Sequence, residues 1–195
     1  MNFNAIESRF KATIEEIIEV IKLNLQQINI KNVIESINLI IDTHRNHNKI
    51  FIYGAGRSGF IGRCFAQRLM HLGIQSCFIS DTITHRYNKE DLLILVSGSG
   101  ETLTTRAIAN SAKKIGGDII LLTGNPDSPI GKISSLIIKV KGKSKNEATT
   151  QETLAPYTSL FDISALSILD SIGGILMKIL NVSEKDIDNR HASLE

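Results

Sequence analysis

Leu92-Leu93-Ile94-Leu95-Val96-Ser97-Gly98-Ser99-Gly100-Glu101-Thr102 runs from five consecutive apolar residues straight into a serine-glycine loop. Continuous rather than alternating apolarity marks a strand covered on both faces, and so a mostly parallel sheet flanked by helices. The loop precedes a helical pattern over Leu103–Ile115 and suits an anion. Glycines let the backbone turn tightly and approach a ligand, free amides at a helix start donate to it, and serine and threonine hydroxyls add adaptable donors. An earlier segment repeats the arrangement. The apolar run Lys49–Tyr53 leads into Gly54-Ala55-Gly56-Arg57-Ser58-Gly59, ahead of a helical pattern over Ile61–Leu72.

Further runs at Gln75–Ile79, Asp118–Leu122 and Leu136–Val140 bring the expected strands to five. In a doubly wound sheet of order 2-1-3-4-5 the first and third strands are neighbours, and the crevice at their carboxyl ends is the topological switch point where such sheets bind ligands. Both glycine-serine loops would open into that one crevice. The expected architecture is a three-layer α/β/α sandwich with a five-stranded parallel sheet of flavodoxin-like order 2-1-3-4-5 and an N-terminal helical arm. Ile6, Phe10, Ile14, Ile17, Ile18, Ile21, Leu25 and Ile28 recur at helical spacing, and Val33, Ile34, Ile37, Ile40 and Ile41 mark a second helix. The turn-rich Asn125–Pro129 leaves room for a short helix only, and 141–151 reads as a loop. A long helix follows, with Leu160, Phe161, Ala165, Ile168, Leu169, Ile172, Leu176 and Ile179 inward; the polar tail Glu184–Glu195 either dangles or folds over something. The length fits one domain over 1–195: helices in 1–48, the sheet core in 49–140, the last helix and tail in 158–195.

The balance of 42% hydrophobic and 22% charged residues with a net charge of +2 calls for neither nucleic acid nor a membrane surface as partner, and no apolar run is read as reaching membrane-spanning length. Lys139, Lys141, Lys143 and Lys145 alternate with Val140, Gly142 and Ser144, as in a solvated edge. Cys64 and Cys77 lack metal-ligand spacing and suit small buried fillers in a reducing compartment. The opening residues carry no secretion signal pattern, so the triplet Asn181-Val182-Ser183 is set aside as a glycosylation site.

Gly54-Ala55-Gly56-Arg57-Ser58-Gly59 also fits the G-x-G-x-x-G dinucleotide fingerprint, with Asp81 near the position of a ribose-binding acid. That reading gives Ser97–Thr102 no role and leaves little chain for a substrate domain. A triphosphatase loop fails on spacing, because Gly124 lies too far from Gly131-Lys132 and Ile133 follows the lysine.

Together, Gly56-Arg57-Ser58-Gly59 and Ser97-Gly98-Ser99-Gly100-Glu101-Thr102 resemble the signature of the sugar isomerase (SIS) domain. Gly62-Arg63-Cys64-Phe65-Ala66-Gln67-Arg68-Leu69-Met70-His71-Leu72-Gly73, Ala155-Pro156 before Ser159-Leu160-Phe161, and the ending Arg190-His191-Ala192-Ser193-Leu194-Glu195 resemble the 6-phospho-3-hexuloisomerases within it. The resemblance runs from about Lys49 to the C-terminus. It implies isomerisation of 3-hexulose 6-phosphate to fructose 6-phosphate, the second step of formaldehyde fixation in the ribulose monophosphate pathway. It implies too a phosphorylated sugar as ligand, no metal or other cofactor, and a cytoplasmic homotetramer with helical arms in its contacts.

By motif, Ser58 and the stretch Ser97, Gly98, Ser99, Gly100, Glu101 and Thr102 fall at the family's substrate-binding positions; Gly56 and Arg57 of the first loop are further substrate-binding candidates, Arg57 either pairing with phosphate or sugar hydroxyls or stacking against a neighbouring subunit. Moving a carbonyl from C3 to C2 needs a base in reach of the transferred proton and donors for the developing oxyanion. The family's proton acceptor is the glutamate of a Pro-Met-Gly-Ser/Thr-x-Phe-Glu pattern, and Pro156-Tyr157-Thr158-Ser159-Leu160-Phe161-Asp162 puts Asp162 there. Aspartate is one methylene shorter, and Tyr157-Thr158 stands where the family has Met-Gly. Glu152 is the alternative base. Ser80-Asp81-Thr82-Ile83-Thr84-His85 departs from the family's Gly-Glu-x-x-Thr-Pro, and His85 reads as a surface residue. His191 lies in the terminal motif, where an imidazole can open the sugar ring or shuttle a proton if the tail covers a pocket, including a neighbour's. His44 and His47 sit at a helix end, where cations are favoured. Other phosphosugar isomerisations, and sugar-phosphate sensing without catalysis, remain the alternatives.

Overall fold

A computed structural model describes residues 2–142 and 152–193. Its five parallel strands are β1 (Ile50–Gly54), β2 (Ser76–Phe78), β3 (Leu92–Val96), β4 (Asp118–Thr123) and β5 (Leu136–Lys139), in the order β2-β1-β3-β4-β5. β1 and β3 pair from Ile50↔Leu92 to Gly54↔Val96, so the two glycine-serine loops leave adjacent strands at the same level. The helices are α1 (Phe3–Gln27), α2 (Ile30–Arg45), α3 (Arg57–His71), α4 (Leu103–Ile115), α5 (Ser159–Ile179) and α6 (Glu184–Asp188), with a 3-10 turn at Gly131–Ile133 in the β4–β5 connection.

The strand alternation divides the core. Ile50, Ile52, Leu92, Ile94, Val96, Ile120 and Leu122 pack on one face with α2, α3 and α5. Phe51, Leu93, Leu95, Ile119 and Leu121 pack on the other with Ala109 and Ala112 of α4 and Ile130. Both faces being covered is the reason the strands read as unbroken apolar runs. The second face is thinner. The β2–β3 link contains no helix, and Tyr87 from it packs edge-on against Phe51 with ring centroids 5.1 Å apart. Burial pushes the Tyr87 phenol well above its usual range, with Asp91 and Asp118 adding to the effect.

α1 extends beyond the sheet. It is held to the body by Asn24, whose side chain exchanges two hydrogen bonds with the Lys141 backbone (2.7 and 2.8 Å), and by Glu16, which accepts from the amides of Leu154 (3.1 Å) and Ala155 (2.7 Å). Much of its apolar stripe, including Ile6, Phe10, Ile14 and Ile18, is exposed.

Several expectations need correction. α5 has the length and composition of a membrane span, 21 residues at a mean hydropathy of 1.6, although no apolar run was expected to reach it. Its apolarity has another use here: Phe161, Ala165, Leu169, Ile172 and Leu176 are buried in the core. Ile179, expected inward, is exposed at the end of that helix. Cys64 is exposed and Cys77 half-buried, so neither is a fully buried filler. Burial, with His47 and Arg45 nearby, lowers the His44 pKa, which works against the mild preference for a cation at this helix end. Most of the 141–151 loop, with Lys143 and Lys145, lies outside the described residues.

Candidate active site

A crevice of about 340 Å³ opens at the carboxyl ends of β1 and β3. Ala55, Gly56, Arg57 and Ser58 line it from the first loop, Gly98, Ser99 and Thr102 from the second, and Tyr157, Thr158 and Phe161 from the start of α5. Three helices begin at this crevice. Their N-cap residues, Gly56 of α3, Thr102 of α4 and Thr158 of α5, all line it, and none provides a side-chain cap among the described residues. The other three helices are capped in the ordinary way, by Asn2, Asn29 and a Ser183–Asp186 capping box. An α-helix leaves its first amides without partners in the helix. Where no side chain satisfies them, the amides and the helix dipole favour an anion. Three such starts around one cavity suit an anion, with the Gly59 and Ser159 amides already met by the backbone carbonyls of Gly56 and Pro156 (3.0 Å each).

The second loop is braced from beneath. Ser97 and Ser99 are buried, and their Oγ atoms accept from the amides of Gly100 (3.2 Å) and Glu101 (3.3 Å). The Gly98 carbonyl accepts from the Gly124 amide (2.9 Å) and from Thr123 Oγ1 (3.2 Å). Gly100 has φ +65°, and a side chain there would run into Ser128 Oγ. Of the six residues expected to contact substrate in this stretch, Gly98, Ser99 and Thr102 line the crevice; Ser97 and Gly100 shape the loop, and Glu101 is an exposed residue outside the lining.

The first loop is braced by α5. Asp162 is 1% exposed, and three donors converge on its carboxylate: Arg57 Nε (2.9 Å) and Thr158 Oγ1 (2.9 Å) to Oδ2, and Ser58 Oγ (3.3 Å) to Oδ1. All three donors line the crevice while Asp162 lies behind them. The Arg57 side chain remains 61% exposed, leaving the outer part of its guanidinium available to a ligand.

The remaining candidates lie elsewhere. Glu152 is exposed, two residues before the segment that docks on Glu16 of the arm, and does not line the crevice. The His191 ring packs on His71 with centroids 4.1 Å apart, and Arg190 donates to the His71 carbonyl (2.8 Å). His71 closes α3 and Arg57 opens it, so at 1.5 Å per residue His191 lies roughly 20 Å from the crevice of its own chain. Asp81 is paired with Arg63, which also donates to Ser80 Oγ (3.1 Å) and covers the Phe78 ring, so it is not presented as a ribose acceptor. His85 is exposed, as expected. Tyr157, Thr158 and Phe161 were missed as lining residues. The helix signal after Pro156 was legible, but its position against the other two loops is set by tertiary packing.

The SIS domain family matches residues 44–165 of the chain. An uncharacterized protein of Archaeoglobus fulgidus is 39% identical over 183 residues, covering 93% of this chain and 98% of its own. A 3-hexulose-6-phosphate isomerase of Methanocaldococcus jannaschii is 40% identical over 164 residues, covering 84% and 85%. A crystal structure of a Methanococcus jannaschii protein, described as inferring 3-hexulose-6-phosphate isomerase function, superposes with a TM-score of 0.78 at 36% identity, covering 96% of this chain and 99% of that one.

Proposed function

The chain belongs to the SIS domain family and, within it, to the 3-hexulose-6-phosphate isomerases; from that premise we propose that it converts D-arabino-hex-3-ulose 6-phosphate to D-fructose 6-phosphate. It is a phosphosugar isomerase. The observation that carries the phosphosugar part of the reading is the convergence of three uncapped helix starts on one crevice. A phosphate seated there meets the amides that open α4 and the hydroxyls of Ser99 and Thr102, while Arg57 and Ser58 face the sugar from across the sheet's switch point.

The reaction oxidises C2 and reduces C3 of one molecule, so its electrons balance without an external acceptor. It needs a proton moved between adjacent carbons, through an enediol, by a group within hydrogen-bond reach. Asp162 is our choice for that carboxylate. Ser58 and Thr158 touch both it and the cavity. Glu152 is the second choice, reached through movement of its loop. His191 serves a crevice only in a neighbouring subunit. The exposed apolar stripe of α1 supports assembly of several copies, and we take the assembly to be a cytoplasmic homotetramer acting in the ribulose monophosphate pathway.

A coupled assay following fructose 6-phosphate formation tests the reading. Turnover of 3-hexulose 6-phosphate is expected, with Asp162→Asn lowering kcat by on the order of a hundredfold or more. Binding of fructose 6-phosphate without turnover would remove the enzymatic claim. A second reading, isomerisation of another phosphosugar on the same scaffold, is favoured by the departures at Asp162 and at Ser80–His85; relative kcat/KM over several phosphosugars separates the two.

A further inference from the structure

Thr158 combines three features that ordinary packing does not require together. Its backbone sits in the left-handed region (φ +64°, ψ −9°), which is unfavourable for a β-branched residue. It occupies the N-cap of α5 yet makes no cap bond there; its hydroxyl donates to Asp162 Oδ2 at 2.9 Å instead. It also stands in the crevice wall. Strain of this kind persists where the surroundings over-determine it, and it concentrates at functional sites.

Asp162 explains what the strain achieves. The carboxylate lies behind the lining and touches the cavity through Arg57, Ser58 and Thr158. Arg57 is a permanent cation that holds one oxygen. Of the two hydroxyls, Thr158 makes the shorter bond, 2.9 Å against 3.3 Å for Ser58. Turning the Thr158 hydroxyl toward the carboxylate has a second effect, because the same hydroxyl does not cap α5: the Ser159 amide is met by the Pro156 carbonyl (3.0 Å), and the next amides, those of Leu160 and Phe161, receive no side-chain cap. We propose that Thr158 is a positioning residue for isomerisation: its hydroxyl orients the Asp162 carboxylate at the crevice wall while leaving the start of α5 uncapped for the substrate. The proposal rests on Asp162 being the base, and it adds a residue through which that base is set.

The test is a kinetic cycle on the full chain. Thr158→Val keeps the shape and removes the donor; it is expected to lower kcat by roughly tenfold to a hundredfold, the scale of a small misplacement of a catalytic group, with KM changed less than about threefold. Thr158→Ser, which keeps the hydroxyl, should recover most of the turnover. In the Asp162→Asn background, Thr158→Val should cost no further kcat, since the group it orients is already gone. Thr158→Gly relieves the backbone and guards against misfolding of the valine variant: it should melt no lower than the parent and still lose turnover. The proposal is overturned if Thr158→Val and Thr158→Gly keep kcat within about twofold of the parent, or if the Thr158→Val and Asp162→Asn losses multiply. A parent with no turnover on any phosphosugar overturns the isomerase reading itself, and this proposal with it; an active parent with indifferent Thr158 variants overturns this proposal alone.

Discussion

The six α-helices among the described residues begin in two different ways. Away from the crevice, Asn29 accepts from the amides of Lys31 and Asn32 (3.1 and 3.4 Å), Asn2 accepts from Ala5, and Ser183 and Asp186 close a capping box. At the crevice, Gly56, Thr102 and Thr158 leave the starts of α3, α4 and α5 without such bonds. Capping is worth about 1 kcal/mol per helix, so the crevice forgoes stability at three places at once. The difference supports the proposal that these helix starts serve a ligand, and an uncapped start is informative when it recurs around one cavity.

The sharpest way to break this contrast is to cap a crevice helix. Thr102→Asp would place a carboxylate on the amides of α4, and like charge against a phosphate costs several kcal/mol. Affinity for fructose 6-phosphate should fall by on the order of a hundredfold, while thermal stability rises by up to about 1 kcal/mol. Titration calorimetry and a melting curve read the two effects; unchanged affinity would mean that the phosphate sits elsewhere.

Next in size is Gly100→Ala. It combines a positive φ with a clash against Ser128, and should cost about 2–4 kcal/mol and most of the turnover, read by denaturant unfolding and the coupled assay. Gly56→Ala is the companion: Gly56 has φ +58° and ψ −130°, a conformation that favours glycine, but no atom within 4 Å of the added Cβ, so about 1–3 kcal/mol is expected. Equal costs at the two glycines would mean that the Ser128 contact adds nothing to the backbone strain at Gly100. At the capped helices, Asn29→Ala should cost about 1 kcal/mol and leave kcat/KM unchanged.

The smallest effect is expected at the far end of α3. Burial, with His191 and Arg68 beside it, lowers the His71 pKa below 6.5. The unfolded chain therefore binds the proton first as the pH falls. Stability is fully present above about pH 6.5 and declines between that value and the folded pKa. Melting temperature should be lower at about pH 5.5 than at about pH 7.5, and His71→Asn should flatten part of that slope without altering the capped and uncapped starts.

The sheet order was legible because each strand is a continuous apolar run ended by turn residues, and two of those ends carry glycine-serine loops. Leu103–Ile115 and Leu92–Val96 have the bounds that were expected. The tail was read only as polar, and the short capped α6 with Ile187 buried came from packing. At the candidate site, the serine-glycine loop was visible in Ser97–Thr102, yet the division of its residues into lining (Gly98, Ser99, Thr102) and bracing (Ser97, Gly100) was not. That division depends on Thr123, Gly124 and Ser128, which meet the loop only in the fold.

Asp162 and Tyr157-Thr158 stood in the sequence as two separate departures from the family pattern. In the fold, Thr158 and Asp162 are joined by one 2.9 Å hydrogen bond.

The sequence by itself determined the fold class, the two glycine-serine loops at neighbouring strand ends and the resemblance to a phosphosugar isomerase family, because hydrophobic period and glycine placement are local properties. Only the tertiary structure decided that α5 begins at the same crevice, that Asp162 lies behind Arg57, Ser58 and Thr158, and that His191 rests on His71 at the other end of α3. Those outcomes depend on residues about a hundred positions apart meeting in the fold, which no local pattern encodes.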